Sequence, residues 1–220
     1  MDSIYKIRNL NKSFSDKTII SNVDLDINKG DMISISGESG SGKSTFLNII
    51  GFLDKPTSGN INLFGKDMTR ASKSHINKLL REKIAYLFQN YALIENETIG
   101  QNLDVSLIYS KETKKNKESL KKKALEKVGL HLPLNTKVFS LSGGEQQRVS
   151  IARILLRPSE IILADEPTGS LDPNTRDDIL CLLKELNKLG KTIIIVTHDD
   201  YISSQCSRKF RLIEGKLEEY

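Results

Sequence analysis

The stretch Gly37-Glu38-Ser39-Gly40-Ser41-Gly42-Lys43-Ser44-Thr45 has the spacing GxxxxGK[ST]. A loop of this kind, entered from a strand and left into a helix, turns successive backbone N–H groups inward and forms an anion nest at a helix N-terminus. The lysine then reaches the outer phosphates of a nucleotide, and the serine hydroxyl ligates Mg²⁺. Both flanks fit: Met32-Ile33-Ser34-Ile35-Ser36 reads as a strand and Phe46-Leu47-Asn48-Ile49-Ile50 as a helix. A dinucleotide-binding GxGxxG turn is excluded, because Thr45 stands where its third glycine would be. Phosphate binding alone leaves kinases, GTPases, helicases and transport ATPases open.

Ile161-Ile162-Leu163-Ala164-Asp165-Glu166-Pro167 supplies the complementary acid. Side chains alternate along a strand, so the neighbouring carboxylates point in different directions. Asp165 is predicted to hold the metal, and Glu166 to orient and help deprotonate a water in line with the γ-phosphate. A third chemical string, Leu141-Ser142-Gly143-Gly144-Glu145-Gln146-Gln147-Arg148, opens the helical stretch Val149–Leu156 and makes a second anion-binding helix start. One nucleotide has no need of two such nests so far apart in sequence. The second therefore suits a nucleotide held by another copy of the chain.

These residues must be positioned by an α/β framework. Short β-branched runs at Met32–Ser36, Ile84–Phe88, Ile161–Ala164 and Thr192–Val196 suit strands buried on both faces of a parallel sheet. Between the last two, Asp172 can cap and Pro173 can start a helix that closes before Gly190. The first ~30 residues and the segment Asn60–Gly65 alternate or turn without intervening helices, as in a small antiparallel sheet. From Thr98 to about Leu134 the pattern is mostly helical, an inserted subdomain.

With 220 residues, 38% of them hydrophobic and 28% charged, the chain reads as a globular protein with ample core. No apolar run approaches a bilayer span, and the N-terminal residues lack the features of a secretory signal, so a cytosolic location is expected. Cys181 and Cys206 stand apart from any metal-ligand spacing, as do His75, His131 and His198, and inert thiols are expected. The net charge of +5 points at first to nucleic acid. It resides, however, in Lys111–Lys123, which carries seven lysines and two glutamates, so the remainder is neutral and no nucleic-acid partner is predicted.

Taken together, the strings resemble the nucleotide-binding subunit of an ABC transporter over essentially the whole chain. Gly37–Thr45 is similar to the Walker A loop, Gln89 to the Q-loop glutamine, Leu141–Arg148 to the signature, Ile161–Glu166 to the Walker B strand, Ser170-Leu171-Asp172 to the D-loop and His198 to the switch histidine. The resemblance implies a P-loop NTPase fold with a mainly parallel RecA-like sheet, a small antiparallel β subdomain and an inserted helical subdomain. It divides the chain into 1–30 and 60–65 (antiparallel), 31–59, 66–97 and 157–220 (core) and 98–156 (helical, with the signature).

The family likeness further implies ATP and Mg²⁺ as cofactors and two copies closed head to tail around two ATP molecules, each held by one copy's Walker A loop and the other's Ser142-Gly143-Gly144. It places Gln89 near Mg²⁺ and the attacking water, His198 on the γ-phosphate and Asp172 at the nucleotide. Phe14 takes the place of the aromatic residue that stacks on adenine. The expected product is a cytosolic ATPase, peripheral at the inner face of the membrane, that docks on a separate permease and drives export.

Glu145, where many members carry glutamine, resembles the subgroup serving lipoprotein-releasing, macrolide-exporting and peptide-exporting transporters. Phe88–Ile94 is most similar to a bacteriocin (lactococcin 972-type) export branch. Competing readings fit less well. ABC-type ATPases of DNA repair or translation typically add coiled coils, zinc-binding cysteines or a second cassette. A GTPase would need Asp where Asn187-Lys188-Leu189-Gly190 has glycine, and a kinase leaves the signature unexplained.

Overall fold

In a computed structural model describing residues 3–220, the chain opens with two long strands, β1 (Ser3–Phe14) and β2 (Lys17–Asn28), then β3 (Met32–Ser36), helix α1 (Lys43–Ile50), β4 (Ser58–Leu63), β5 (Lys66–Asp67), α2 (Lys73–Glu82) and β6 (Ile84–Leu87). Helices α3 (Ile99–Asp104), α4 (Lys114–Lys127) and α5 (Gly143–Leu155) follow. The last part comprises β7 (Ile161–Asp165), α6 (Pro173–Lys188), β8 (Thr192–Val196), α7 (Asp200–Ser204), β9 (Arg208–Ile213) and β10 (Lys216–Glu219).

Strands β10-β9-β3-β8-β7-β6 form one sheet, parallel except for β10, and β2-β1-β4-β5 form an antiparallel one. The parallel strands are apolar throughout because each face meets its own core. Ile162, Ala164, Ile193 and Ile195 pack toward α5 and α6, whereas Ile161, Leu163, Ile194 and Val196 face α1 and the antiparallel sheet. The α6 start is as the sequence predicts: Asp172 Oδ1 accepts the N–H groups of Asn174 and Thr175, with Pro173 at the first helical position. α4 carries the lysines. Lys117 Nζ donates to the Leu107 carbonyl and Lys121 Nζ pairs with Asp104, while Lys114, Lys115, Lys122 and Lys123 are exposed.

Several boundaries differ from expectation. Phe88 lies outside β6, and the strand read near Asn60–Gly65 is a hairpin, β4 and β5, turning at Phe64-Gly65. The β9–β10 hairpin at the sheet edge was not anticipated. Among the described residues no helix is long and apolar enough to cross a membrane, and no His/Cys/Asp/Glu cluster could hold a metal ion. Cys206 is buried, which pushes its thiol up to about 11, and Cys181 is exposed.

Candidate nucleotide site

The phosphate loop lies between β3 and α1. Gly42 precedes α1 at φ 102°, and no side chain caps the helix start, leaving its first N–H groups to face the loop. Glycine is required at two points for lack of space as well: a Cβ on Gly37 would stand 2.7 Å from the Leu212 carbonyl oxygen, and one on Gly42 2.5 Å from Ile19 Cγ2. Lys43 is buried, and its ammonium donates across the loop to the carbonyls of Gly37 (2.9 Å) and Glu38 (2.8 Å). Among the described residues Ser41 Oγ is buried without a hydrogen-bond partner, whereas buried polar groups are ordinarily paired. The loop thus presents inward donors suited to an anion. Ser39 and Gly40 form its turn, and Thr45 lies in the first turn of α1.

The carboxylates at the end of β7 diverge. Asp165 Oδ1 accepts from Ser44 Oγ at 3.0 Å, an all-oxygen donor pair of the kind that Mg²⁺ prefers. Burial pushes the Asp165 carboxyl up and the neighbouring Glu166 adds to this, against the Ser44 hydrogen bond and the Lys43 charge. A cation between Ser44 and Asp165 would offset that desolvation.

Glu166 turns the other way. Its backbone is left-handed, φ 44°, which costs a non-glycine residue about 1–3 kcal/mol. Three contacts hold it there: its N–H donates to the Val196 carbonyl (2.9 Å), Thr197 Oγ1 donates to Oε2 (3.1 Å), and His198 Nδ1 lies 2.8 Å from Oε1. The His198 side chain is 63% exposed against 11% for Glu166, so the pair presents the imidazole outward over a partly buried carboxylate. Thr197 was missed in the sequence. It follows the end of β8, and only the packing of β8 beside β7 brings its hydroxyl to Glu166.

The remaining candidates sit on two fronts. Gln89 is exposed in the turn after β6, whose register pairs Leu87 with Ala164 and so sets it beside the end of β7. Phe14, at the tip of the β1–β2 hairpin, is 51% exposed, with Lys12 Nζ 4.5 Å above its ring. A core role for this phenylalanine is thereby excluded. The same hairpin supplies Ile19 against Gly42, so it borders the phosphate loop.

Ser142, Gly143 and Gly144 instead neighbour Tyr91, Leu171 and Thr175. Ser142 caps α5 reciprocally with Glu145. The hydrogen bonds that cap α6 hold the Asp172 carboxyl below its usual range, Thr175 contributing most. The signature and D-loop thus share a face, and the hydrogen bonds of Ser142 run to Glu145 and not to the phosphate loop.

The family model described as ABC transporter matches residues 20–169, well over half of the chain. The chain belongs to the ABC transporter family. Among curated relatives it is similar to the macrolide export ATP-binding/permease protein MacB of Salmonella typhimurium (37% identical over 221 residues, 99% of this chain) and of Vibrio parahaemolyticus (38% over 220 residues, 98%). It spans about a third of the length of each, 34%.

Two dimeric structures of the ATP-binding cassette MJ0796 are also similar. One is a post-hydrolysis state bound to ADP and Pi (37% identity, TM-score 0.90, covering 98% of this chain and 97% of that one). The other is described as a bacterial ABC transporter cassette (38%, TM-score 0.90, 97% and 96%). The fold is therefore that of an ABC ATPase cassette, a P-loop NTPase.

Proposed function

We propose that this cassette binds and hydrolyses ATP with Mg²⁺ as one half of a head-to-tail pair of identical chains, and that closure of the pair drives export through a separate permease. The single observation that carries the proposal is the division at the end of β7, with Asp165 on Ser44 beside the phosphate loop and Glu166 on Thr197 and His198.

Lys43 and the loop N–H groups bind the phosphates, and Ser44, Asp165 and Gln89 are the residues that would hold Mg²⁺. When bound, the metal would supply neutralisation of the phosphate charge. Glu166 accepts a proton from water as its oxygen bonds to the γ-phosphorus, and the bond to the ADP oxygen breaks. His198, fixed by Glu166, faces the γ-phosphate. Ser142, Gly143, Gly144 and Asp172 meet the nucleotide of the second copy, and Phe14 stacks on adenine. The expected division is into antiparallel, core and helical (98–156) subdomains.

Support for a permease partner comes from the MacB relatives, whose names join both functions, and from an open groove of about 820 Å³ bordered by the exposed Val105, Ile108 and Tyr109. These relatives favour a transport role over DNA repair or translation, with the chain peripheral at the cytoplasmic face of the membrane. The cargo class is a peptide, lipoprotein or hydrophobic compound, and the likeness of Phe88–Ile94 favours a bacteriocin-type peptide.

Glu166→Gln is the test. It keeps the side chain's shape and its bond from Thr197, so ATP binding should persist while phosphate release falls about 10²–10⁴-fold, the range of a general base. The ATP-bound pair should accumulate. Wild-type turnover would overturn the assignment.

A further inference from the structure

Tyr91, two residues after Gln89, takes part in none of the roles above, yet three motifs meet on it. Its hydroxyl lies 3.0 Å from Ser170 Oγ in the D-loop. It also lies against the first residue of the signature helix, since a Cβ on Gly143 would come within 2.7 Å of that oxygen. The neighbouring Leu171 side chain closes the other side of Gly143, 3.4 Å from the same position.

The backbone that delivers the ring is itself unusual. Tyr91 and Ala92 are both left-handed, at φ 60° and 46°, a conformation that residues with a Cβ disfavour. It is maintained from α5: the buried Ser150 donates to the Tyr91 carbonyl (2.8 Å), and Arg153 donates to the carbonyls of Ala92 (2.6 Å) and Tyr91 (3.1 Å). The signature helix therefore grips the base of the loop, and the loop reaches back to the start of that helix.

We infer that Tyr91 is a positioning residue whose hydroxyl clamps the D-loop to the Q-loop and signature, so that one copy presents Ser142-Gly143-Gly144 and Asp172 to the other as a single preset surface. The inference rests on the head-to-tail reading. Ser170 stands two residues before Asp172, and the clamp fixes the D-loop where it passes the signature.

The experiment uses the full chain in a Glu166→Gln background, with ATP-induced pairing measured by sedimentation and nucleotide affinity of the single copy by a fluorescent ATP analogue. Tyr91→Phe and Ser170→Ala each remove one partner of the bond and should each weaken pairing about 3- to 10-fold, the range of one hydrogen bond. Nucleotide affinity of the single copy should stay unchanged, and Tm should fall by no more than about 1–6 °C, what one hydrogen bond contributes to a chain of this size. The double variant should be no weaker than either single one, and Ser170→Thr, which keeps a hydroxyl, should restore pairing. Unchanged or tighter pairing in Tyr91→Phe, or additive losses in the double variant, would overturn the clamp. Absence of pairing in Glu166→Gln alone would instead refute the head-to-tail reading.

Discussion

Glu145 gives the signature of this chain a charge that can be tested. Its Oε2 accepts both the N–H and the hydroxyl of Ser142, each at 2.8 Å, so the only proton on Ser142 Oγ is already engaged. A phosphate oxygen from a second copy that takes this hydroxyl would lie within about 5.6 Å of Glu145 Oε2, two hydrogen-bond lengths away. Two unit negative charges at that distance repel by about 0.7 kcal/mol at a water-like dielectric and about 3 kcal/mol at an effective value of ~20.

Glu145→Gln should therefore tighten ATP-induced pairing by roughly 3- to 150-fold for each of the two composite sites. The same substitution removes a negative charge from a helix N-terminus, which costs about 0.3–1 kcal/mol of stability and lowers Tm by about 1–4 °C. The two effects have opposite signs and separate readouts: sedimentation in the Glu166→Gln background for pairing, and thermal unfolding without nucleotide for stability. Unchanged or weaker pairing in Glu145→Gln would show that no phosphate approaches Ser142 and would refute the reasoning.

Lys43→Ala should weaken ATP binding at least tenfold in equilibrium titration, and retention of full affinity would argue against the phosphate cradle. Mixing a Lys43-defective copy with a Ser142-defective copy should yield at most one intact site per pair, counted by trapped nucleotide; two intact sites would contradict the head-to-tail arrangement. Because burial raises the Asp165 pKa, the folded chain holds that proton more tightly than the unfolded one, and stability without nucleotide should fall as pH rises from about 3.8 through the folded value. Asp165→Asn should flatten that fall in thermal unfolding and weaken Mg²⁺-dependent nucleotide binding. Gly51→Ala should destabilise by about 1–3 kcal/mol in denaturant titration, since its Cβ would overlap the Tyr86 hydroxyl and crowd Leu163.

What the sequence could disclose depended on how local each device is. Asp172-Pro173 and Gly37–Thr45 are self-contained, because a cap and a nest are made by neighbours in the chain, and both stand where their residues indicate. The four-residue alternation of β7 and β8 between two cores was likewise legible as continuous apolar runs. The β9–β10 hairpin was not: Arg208–Ile213 alternates weakly, and its place is decided by pairing with β3, far back in the chain. Tyr91 and Thr197 were hidden for a related reason. Their hydroxyls matter through Ser170 and Glu166, partners that only the crossing of β6, β7 and β8 brings near.

The lysines of α4 also bear on how the protein behaves in the hand. With the rest of the chain neutral, Lys114, Lys115, Lys122 and Lys123 on one exposed helix make the molecule lopsided in charge. It should adhere to a cation exchanger, or carry nucleic acid through purification, by that one edge, and release it steeply as salt rises. Such adhesion would be a property of α4 alone. A preparation washed free of polyanion at high salt should keep its full ATP turnover, and its chromatographic behaviour gives no guide to its cellular partner.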